Sequence, residues 1–368
     1  MVILGRRNEA PLVVTFLLVP YVWGYDFLPD DTQTLTDPRI PVLYDISTSQ
    51  TLSFAEAPIS GYWVSSFLTA TDGSQYFLTS GVLASQSVSA YGASILDLTT
   101  LTRSAYFQPT MFTDSNLQSF NMSSAGYEFS GIPPSNLDMK LRSNTPSLFF
   151  DVTMHATSPA YYYCGSGAYT YINRTMYNWA FPASKTSGTI SIPSSDTDTD
   201  AGTLERIDLN PEASLTWYDR VWGTAEIRNG NSTLFNLYFS TSTHDIVLWV
   251  PLVDSYDPPF ISRSANIRAR GESWHHFLPV DSFEPNLDSG TWTSHRTGLV
   301  YPQSWTFSIE GRGEFRMRSI KGDQEFAVEG AEGQGGATYI GFVEFEGVFD
   351  GESVSGFGGV ELRLAALV

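Results

Sequence analysis

The feature that most constrains this chain is a repeated rhythm of short strand-forming runs. "GYWVSSFLTA", "QYFLTSGVLA", "SLFFDVTMHA", "GTISI", "SLTWYDRVWG", "STLFNLYFST" and "DIVLWV" are rich in β-branched and aromatic residues, and turn residues such as "TDGS" and "RNGN" separate them. After residue 260 the rhythm resumes with "SWTFSIEG", "EFRMRSI", "QEFAVEG", "TYIGFVEFEGVFDG" and "SVSGFGGVEL", "EGAEGQGG" being a turn between strands. Strands recurring about every ten residues imply antiparallel sandwiches or barrels, so the expected fold is all-β. Helical periodicity is scarce, and only residues 84–101 admit a helical turn or two. "PSSDTDTDAG" (193–202) reads as an exposed acidic loop. "VDSYDPPF" (253–260) carries two prolines that a strand ladder cannot use internally, which sets the expected boundary between a domain at 25–255 and a second at 256–368.

The chain has 368 residues, 42% of them apolar, enough for two cored domains. Lys and Arg number 20 against 39 Asp and Glu, a net charge of −19. Such a surface repels a phosphate backbone, so nucleic acid is a poor partner. With Lys140, Lys185 and Lys321 as the only lysines, Schiff-base chemistry is disfavoured. Cys164, the single cysteine, sits in "YYYCGSG" and reads as a small buried hydrophobe, not a reactive thiol. No P-loop, GxGxxG after a strand, HExxH or GxSxG occurs. The histidines (His155, His244, His275, His276 and His295) fit no metal-ligand spacing, so no metal is expected.

The N-terminus opens with Arg6 and Arg7 and runs apolar from Pro11 to Trp23. That is too short for a stable membrane span and suits a signal peptide over 1–24, with Val22 and Gly24 before the cleavage point. The expected localisation is therefore the secretory pathway or secreted, with the cytoplasm as alternative. Asn121, Asn173 and Asn231 stand in glycosylation sequons.

Side chains alternate faces along a strand, so in "TWYDRVW" Trp217, Asp219 and Val221 share one face and Tyr218, Arg220 and Trp222 the other. An aspartate between an indole and a valine either finds a partner or keeps its proton, and a neutral carboxylic acid in an apolar pocket is a proton donor. The plain reading is an aspartate paired with some arginine or capping a turn. Two further clusters join aromatic rings to histidine: Trp274, His275 and His276 in "GESWHHFLP", and Trp292, His295, Tyr301 and Trp305 in "GTWTSHRTGLVYPQSW". Indoles stack on planar ligands or stabilise a developing cation, and histidine shuttles protons near neutrality.

"SLTWYDRVWG" resembles the "TWYDRxWG" signature of the fungal lipocalin-like pericyclases (Diels–Alderases), a family similar in turn to carotenoid hydratases and phytoalexin hydratases. The resemblance runs in order over residues 55–365. "ISGYWVSSFLTATDGSQYFLTSGVL", with Tyr62 and Trp63, looks like the family's first hairpin. "STLFNLYFSTSTHDIVLWV" looks like the strand pair after the signature. "TWTSHRTGLVYPQSWTFSI" is similar to its W-S-x-x-TG-x-x-YP-x-x-W block, and "YIGFVEFEGVFDGESVSGFGGVEL" to its closing segment. Val221 stands where the family has a polar residue, and "IGFVEFEG" lacks an aromatic before its glycine. The resemblance implies two tandem lipocalin-like antiparallel β domains, a ligand at their interface and no cofactor. It implies a hydrophobic small-molecule substrate, polyketide or terpenoid, and a Diels–Alder or hetero-Diels–Alder cycloaddition, the latter joining a quinone methide to a terpene alkene. In that chemistry Asp219, or alternatively His275 or His295, protonates a leaving hydroxyl, and Tyr218 or Arg220 orients a carbonyl oxygen. Tyr62, Trp63, Trp217, Trp222, Trp274, Trp292 and Tyr301 would hold the substrate. Two alternatives remain at this point: a hydratase adding water to an isoprenoid double bond, with Trp217 stabilising the cation, and a non-catalytic carrier.

Overall fold

The strand Leu215–Gly223, which carries the signature, lies in the middle of a large antiparallel sheet. In a computed structural model, residues 24–364 are described, apart from 33, 88, 172–173, 194–203, 225–230, 242, 254–259, 289 and 328–336. The order across the sheet is Arg103–Thr110, Ser89–Asp97, Gln75–Ser85, Ile59–Thr69, Leu215–Gly223, Arg174–Pro193, Leu148–His155, Met139–Thr145 and Tyr127–Gly131. The sheet curls until its edges approach without pairing: Tyr91 stacks on Tyr127 at 3.8 Å, and Ser147 Oγ donates to Ala105 O. The half-barrel so formed encloses a core that includes Tyr62, Val64, Leu78, Phe129, Met154, Trp179 and Tyr218.

The second sheet closes on itself. Asn231–Phe239 pairs on one side with His244–Val253 and on the other with Glu352–Arg363, and Thr338–Phe349, Gly313–Ser319, Ser304–Ile309, His276–Pro285 and Ser264–Ala269 complete an eight-stranded barrel. Alternate residues of each strand fill its interior, among them Phe235, Leu248, Trp305, Phe315 and Val343.

The fold is thus all-β, a half-barrel followed by a barrel, as the rhythm of strands implies. Two details differ from the sequence expectation. Residues 89–97 form a strand rather than helical turns; "SAYGASIL" lacks a polar face at either period and takes its conformation from the ladders on both sides. The change from one sheet to the other falls between the strands Leu215–Gly223 and Asn231–Phe239 rather than at 253–260, because both strands that precede the prolines pair within the barrel. The prolines connect two neighbouring strands of one sheet, His244–Val253 and Phe260–Ile261. Helix is confined to Ile46–Ser49, Asp114–Gln118 and two 3₁₀ turns among the described residues.

A third apolar cluster joins the two units. Phe67, Phe77, Leu215 and Trp217 from the half-barrel meet Leu234, Tyr238, Val247, Phe342 and Phe357 from the barrel. The segment after Gly24 runs along this seam, with Tyr25 against Phe342 at 5.0 Å, Phe27 against Phe357 at 4.8 Å, and Asp30 N–H donating to Ala183 O. Full burial of each such ring contributes roughly 1.5–3 kcal/mol. The apolar run Pro11–Trp23 and Asn173 lie outside the described residues; Asn121 is exposed, and Asn231 is half-buried at a strand start. Among the described residues no helix is long and apolar enough to cross a membrane.

Candidate active site

Strand register decides which signature residues share the seam. Ile59–Thr69 pairs with Leu215–Gly223 so that Trp63 lies opposite Asp219 and Ser65 opposite Trp217. These four side chains form one patch on the face turned toward the barrel. From the barrel come Leu234, Asn236, Ile340, Val360 and Glu361, and the two sets enclose a cavity of about 10 Å³, close to the minimum that admits one water. A larger groove of about 140 Å³ lies at the edge of the half-barrel, but turn residues such as Ser123, Ser124 and Gly126 line it and it is open and polar. The small cavity at the seam is the candidate site.

Asp219 is its chemical centre. Oδ2 accepts from Tyr163 OH at 2.9 Å and from Trp217 Nε1 at 3.1 Å, whereas Oδ1 is buried with no partner among the described residues. The residue as a whole is half-buried and lines the cavity. Burial pushes the carboxyl up to about 7; the Tyr163 hydrogen bond pulls it down, the negative charge of Glu361 raises it further, and the Trp217 bond opposes. Because both donors engage Oδ2, the proton belongs on Oδ1. Glu361 is itself paired with Arg363 at 2.8 Å on the same strand.

Tyr163 reaches Asp219 from the turn Tyr163–Gly165, where Cys164 adopts a left-handed φ of 54°. Burial foremost, and the Asp219 charge, hold the Tyr163 phenol far above its ordinary range, so it stays a donor. Burial pushes the Cys164 thiol up to about 11, as suits an inert cysteine.

Several residues expected at the site lie elsewhere. Tyr218, Arg220, Tyr62 and Trp222 occupy the opposite face, inside the half-barrel. Tyr218 OH donates to Gln50 Oε1 at 2.7 Å and Tyr62 OH to Gln50 O at 3.1 Å. Arg220 is fully buried, donates to the carbonyls of Ser49 and Val221, and stacks on Tyr62 at 4.2 Å and Trp222 at 5.0 Å. The period of two that puts Asp219 on the seam removes Tyr218 and Arg220 from it, so neither orients a substrate oxygen there. His275 stacks on Tyr161 at 4.8 Å and places Nε2 2.9 Å from Tyr162 O, where only an N–H is accommodated. Burial, with Arg268 nearby, holds it down to about 4, so it is neutral near pH 7 and outside the cavity. His295 is exposed on a turn, and Trp274 stands 53% exposed.

The "TSHRTGLVYP" block is a structural knot. Ser294, Thr297 and Tyr301 all donate to the buried Glu325 carboxylate, with Arg296 Nε beside it at 3.3 Å. Trp292 stacks over Tyr301 at 5.7 Å. Of the expected binding residues, Trp63 and Trp217 line the cavity. Sequence reasoning missed Tyr163, Asn236 and Glu361. The signals were faint: an amide in the apolar run "TLFNLYF", an acid closing "GFGGVEL", and a tyrosine read as padding for Cys164. Among the described residues no group of His, Cys, Asp or Glu is arranged to hold a metal.

No protein-family profile matches the chain. Kievitone hydratase from Fusarium solani subsp. phaseoli is 30% identical over 343 residues, 92% of this chain and 91% of that protein. The dehydratase AsqC of Emericella nidulans is 28% identical over 345 residues, 92% of this chain and 94% of its own. Among solved structures, kievitone hydratase from Nectria haematococca superposes with a TM-score of 0.81 at 26% identity, covering 93% of this chain and 99% of that one. CghA, solved with Sch210972, shares the fold at a TM-score of 0.59 and 13% identity, covering 92% of this chain and 98% of that one. The two curated relatives matched across nearly the whole chain are named for adding or removing water, and the overall fold superposes on that of kievitone hydratase; the chain belongs to the fungal lipocalin-like family of kievitone hydratase.

Proposed function

We propose that this protein is an acid–base catalyst that adds water to, or removes it from, a hydrophobic unsaturated small molecule held at the seam. The observation that carries this reading is the Asp219 carboxyl, held up to about 7 in an apolar enclosure with Oδ1 unpartnered. In dehydration, Asp219 gives its Oδ1 proton to a hydroxyl of the substrate, the C–O bond breaks and water leaves. The resulting carboxylate then takes the proton from the neighbouring carbon, which restores the acid and leaves a double bond. Hydration is the reverse: the proton goes to an alkene carbon, water adds to the cation, and the proton released returns to Asp219. The Trp217 and Trp63 ring faces suit a positively charged intermediate. Tyr163 and Trp217 hold Oδ2 and so fix the direction of the acidic oxygen. Chemistry of this kind asks for no cofactor.

A cycloaddition is the second reading, favoured by the indoles of Trp63 and Trp217 flanking the acid. Loss of water from a hydroxybenzyl compound produces a quinone methide, which an apolar chamber shields from water while an alkene approaches.

The test is incubation of the protein with extract from a strain lacking it, followed by mass spectrometry. A product differing from its precursor by one water supports the proposal, and Asp219→Asn lowers its rate about 10²–10⁴-fold. A product whose mass is the sum of two precursors, less one water where a hydroxybenzyl compound supplies the quinone methide, or equal to that of one precursor, favours cycloaddition. Full activity in Asp219→Asn overturns the acid role.

A further inference from the structure

Two hydrogen-bond donors on the cavity wall take no part in the proton transfer. Trp63 Nε1 and Asn236 Nδ2 are buried, and neither makes a hydrogen bond of ordinary length among the described residues, the Asn236 amide reaching only weakly toward the Tyr238 hydroxyl on its own strand. Both residues line the cavity, Trp63 from Ile59–Thr69 of the half-barrel and Asn236 from Asn231–Phe239 of the barrel. Each rests on a glycine. A Cβ on Gly81 would fall 1.7 Å from Trp63 Cε3, and one on Gly359 would fall 2.6 Å from Asn236 Oδ1. An indole N–H only donates, and a primary amide presents a donor in either flip. Leu234, Ile340 and Val360, which share the wall, offer no side-chain acceptor, and the acceptors that do line it, Ser65, Asp219 and Glu361, bond to neither donor. Two such donors on residues of one cavity, beside a carboxyl of raised pKa, leave a place for an outside acceptor.

We propose that Trp63 and Asn236 together hold an oxygen acceptor of the substrate, a carbonyl or phenolic oxygen. The inference rests on the acid role of Asp219, because the same molecule meets both, and it narrows the substrate class. The compound is apolar and unsaturated, and it bears a carbonyl or phenol close to the carbon that gains or loses water. Trp63 is the direct cross-strand neighbour of Asp219 on the seam face, so donor and acid approach the same part of the guest. A pure hydrocarbon leaves both donors unmet and binds less well. An oxygenated one turns two desolvated N–H groups into a polar anchor that fixes which carbon faces Oδ1.

The experiment uses a matched pair of probes, 4′-methylacetophenone and p-cymene, in which a carbonyl oxygen of the first is replaced by a methyl group and a hydrogen in the second. Calorimetric titration of the full chain should show the ketone binding about tenfold tighter, the worth of one to two ordinary hydrogen bonds. Trp63→Phe and Asn236→Leu should each reduce the preference, and the double variant should abolish it, with p-cymene affinity and thermal midpoint held within about twofold and a few degrees respectively. Equal affinity of the wild type for the two probes, absence of saturable binding by either, or a preference that survives the double variant overturns the proposal. Asp219→Asn separates the two readings. If it keeps the ketone preference and loses turnover, both stand. If it keeps turnover, the acid role fails while the anchor is judged on the probes alone.

Discussion

At the scale of single residues, the alternation of "TWYDRVW" was legible without coordinates, and it placed Trp217 and Asp219 on one face with Tyr218, Arg220 and Trp222 on the other. The assignment of Tyr218 and Arg220 to a substrate oxygen contradicted that same alternation, and the structure resolves the conflict in favour of the period. Tyr163 was illegible because it reaches Asp219 across 56 residues of sequence, and nothing local in "YYYCGSG" announces that contact. Asp219 ties stability to pH. A carboxyl whose pKa rises from the ordinary range to about 7 on folding stabilises the fold fully below pH 4, and that contribution is lost as pH rises to 7. The loss amounts to roughly 4 kcal/mol. Asp219→Asn, neutral at every pH, is therefore expected to be the more stable protein above pH 7 and to lose the slope between pH 4 and 7; denaturant unfolding at a series of pH values reads both. The charge of Glu361 supports the raised value, so Glu361→Gln should move the alkaline limit of the pH–rate profile downward. An unchanged limit would show that Arg363 already neutralises Glu361 as Asp219 feels it.

At the scale of elements, strands were legible because turn residues punctuate them, whereas their partners were not. Residues 89–97 carry small residues that satisfy neither period and become a strand only between two ladders. The prolines of 253–260 signalled an interruption but not its kind, since a break within one sheet and a break between two look alike in sequence. The pairing of Trp63 with Gly81 shows what register adds. The two residues face each other on adjacent strands, and the indole lies where the glycine has no side chain. Gly81→Ala should displace the Trp63 ring, cost about 1–3 kcal/mol as overpacking does, and reduce activity with it. The readouts are the thermal midpoint and the near-ultraviolet circular dichroism of the tryptophans.

At the scale of the whole molecule, composition and strand spacing foresaw two β units, and the seam between them was foreseen only through the family resemblance. The seam is polar as well as apolar. Asp245 and Arg268, both fully buried, pair at 2.9 Å, and Arg268 also donates to Pro159 O and stacks on Tyr161 at 5.1 Å. Asn266 Nδ2 and His275 Nε2 both donate to Tyr162 O. The barrel thus grips the segment that ends in Tyr163, the donor to Asp219. Asp245→Ala leaves a guanidinium buried without its carboxylate, which typically costs about 3–5 kcal/mol. Chemical denaturation should show that loss in a single transition, because neither unit keeps its own half of the seam covered alone.

Room for about one water between two facing sheets also bears on how a guest arrives. Anything the size of a small-molecule substrate fits only if the lining of the cavity parts, and the work of parting it is subtracted from its affinity. Candidates are therefore ranked less by how well they fill a ready-made mould than by whether their contacts repay that opening. Two compounds of equal greasiness can differ widely if only one brings the atoms that keep the gap from closing again.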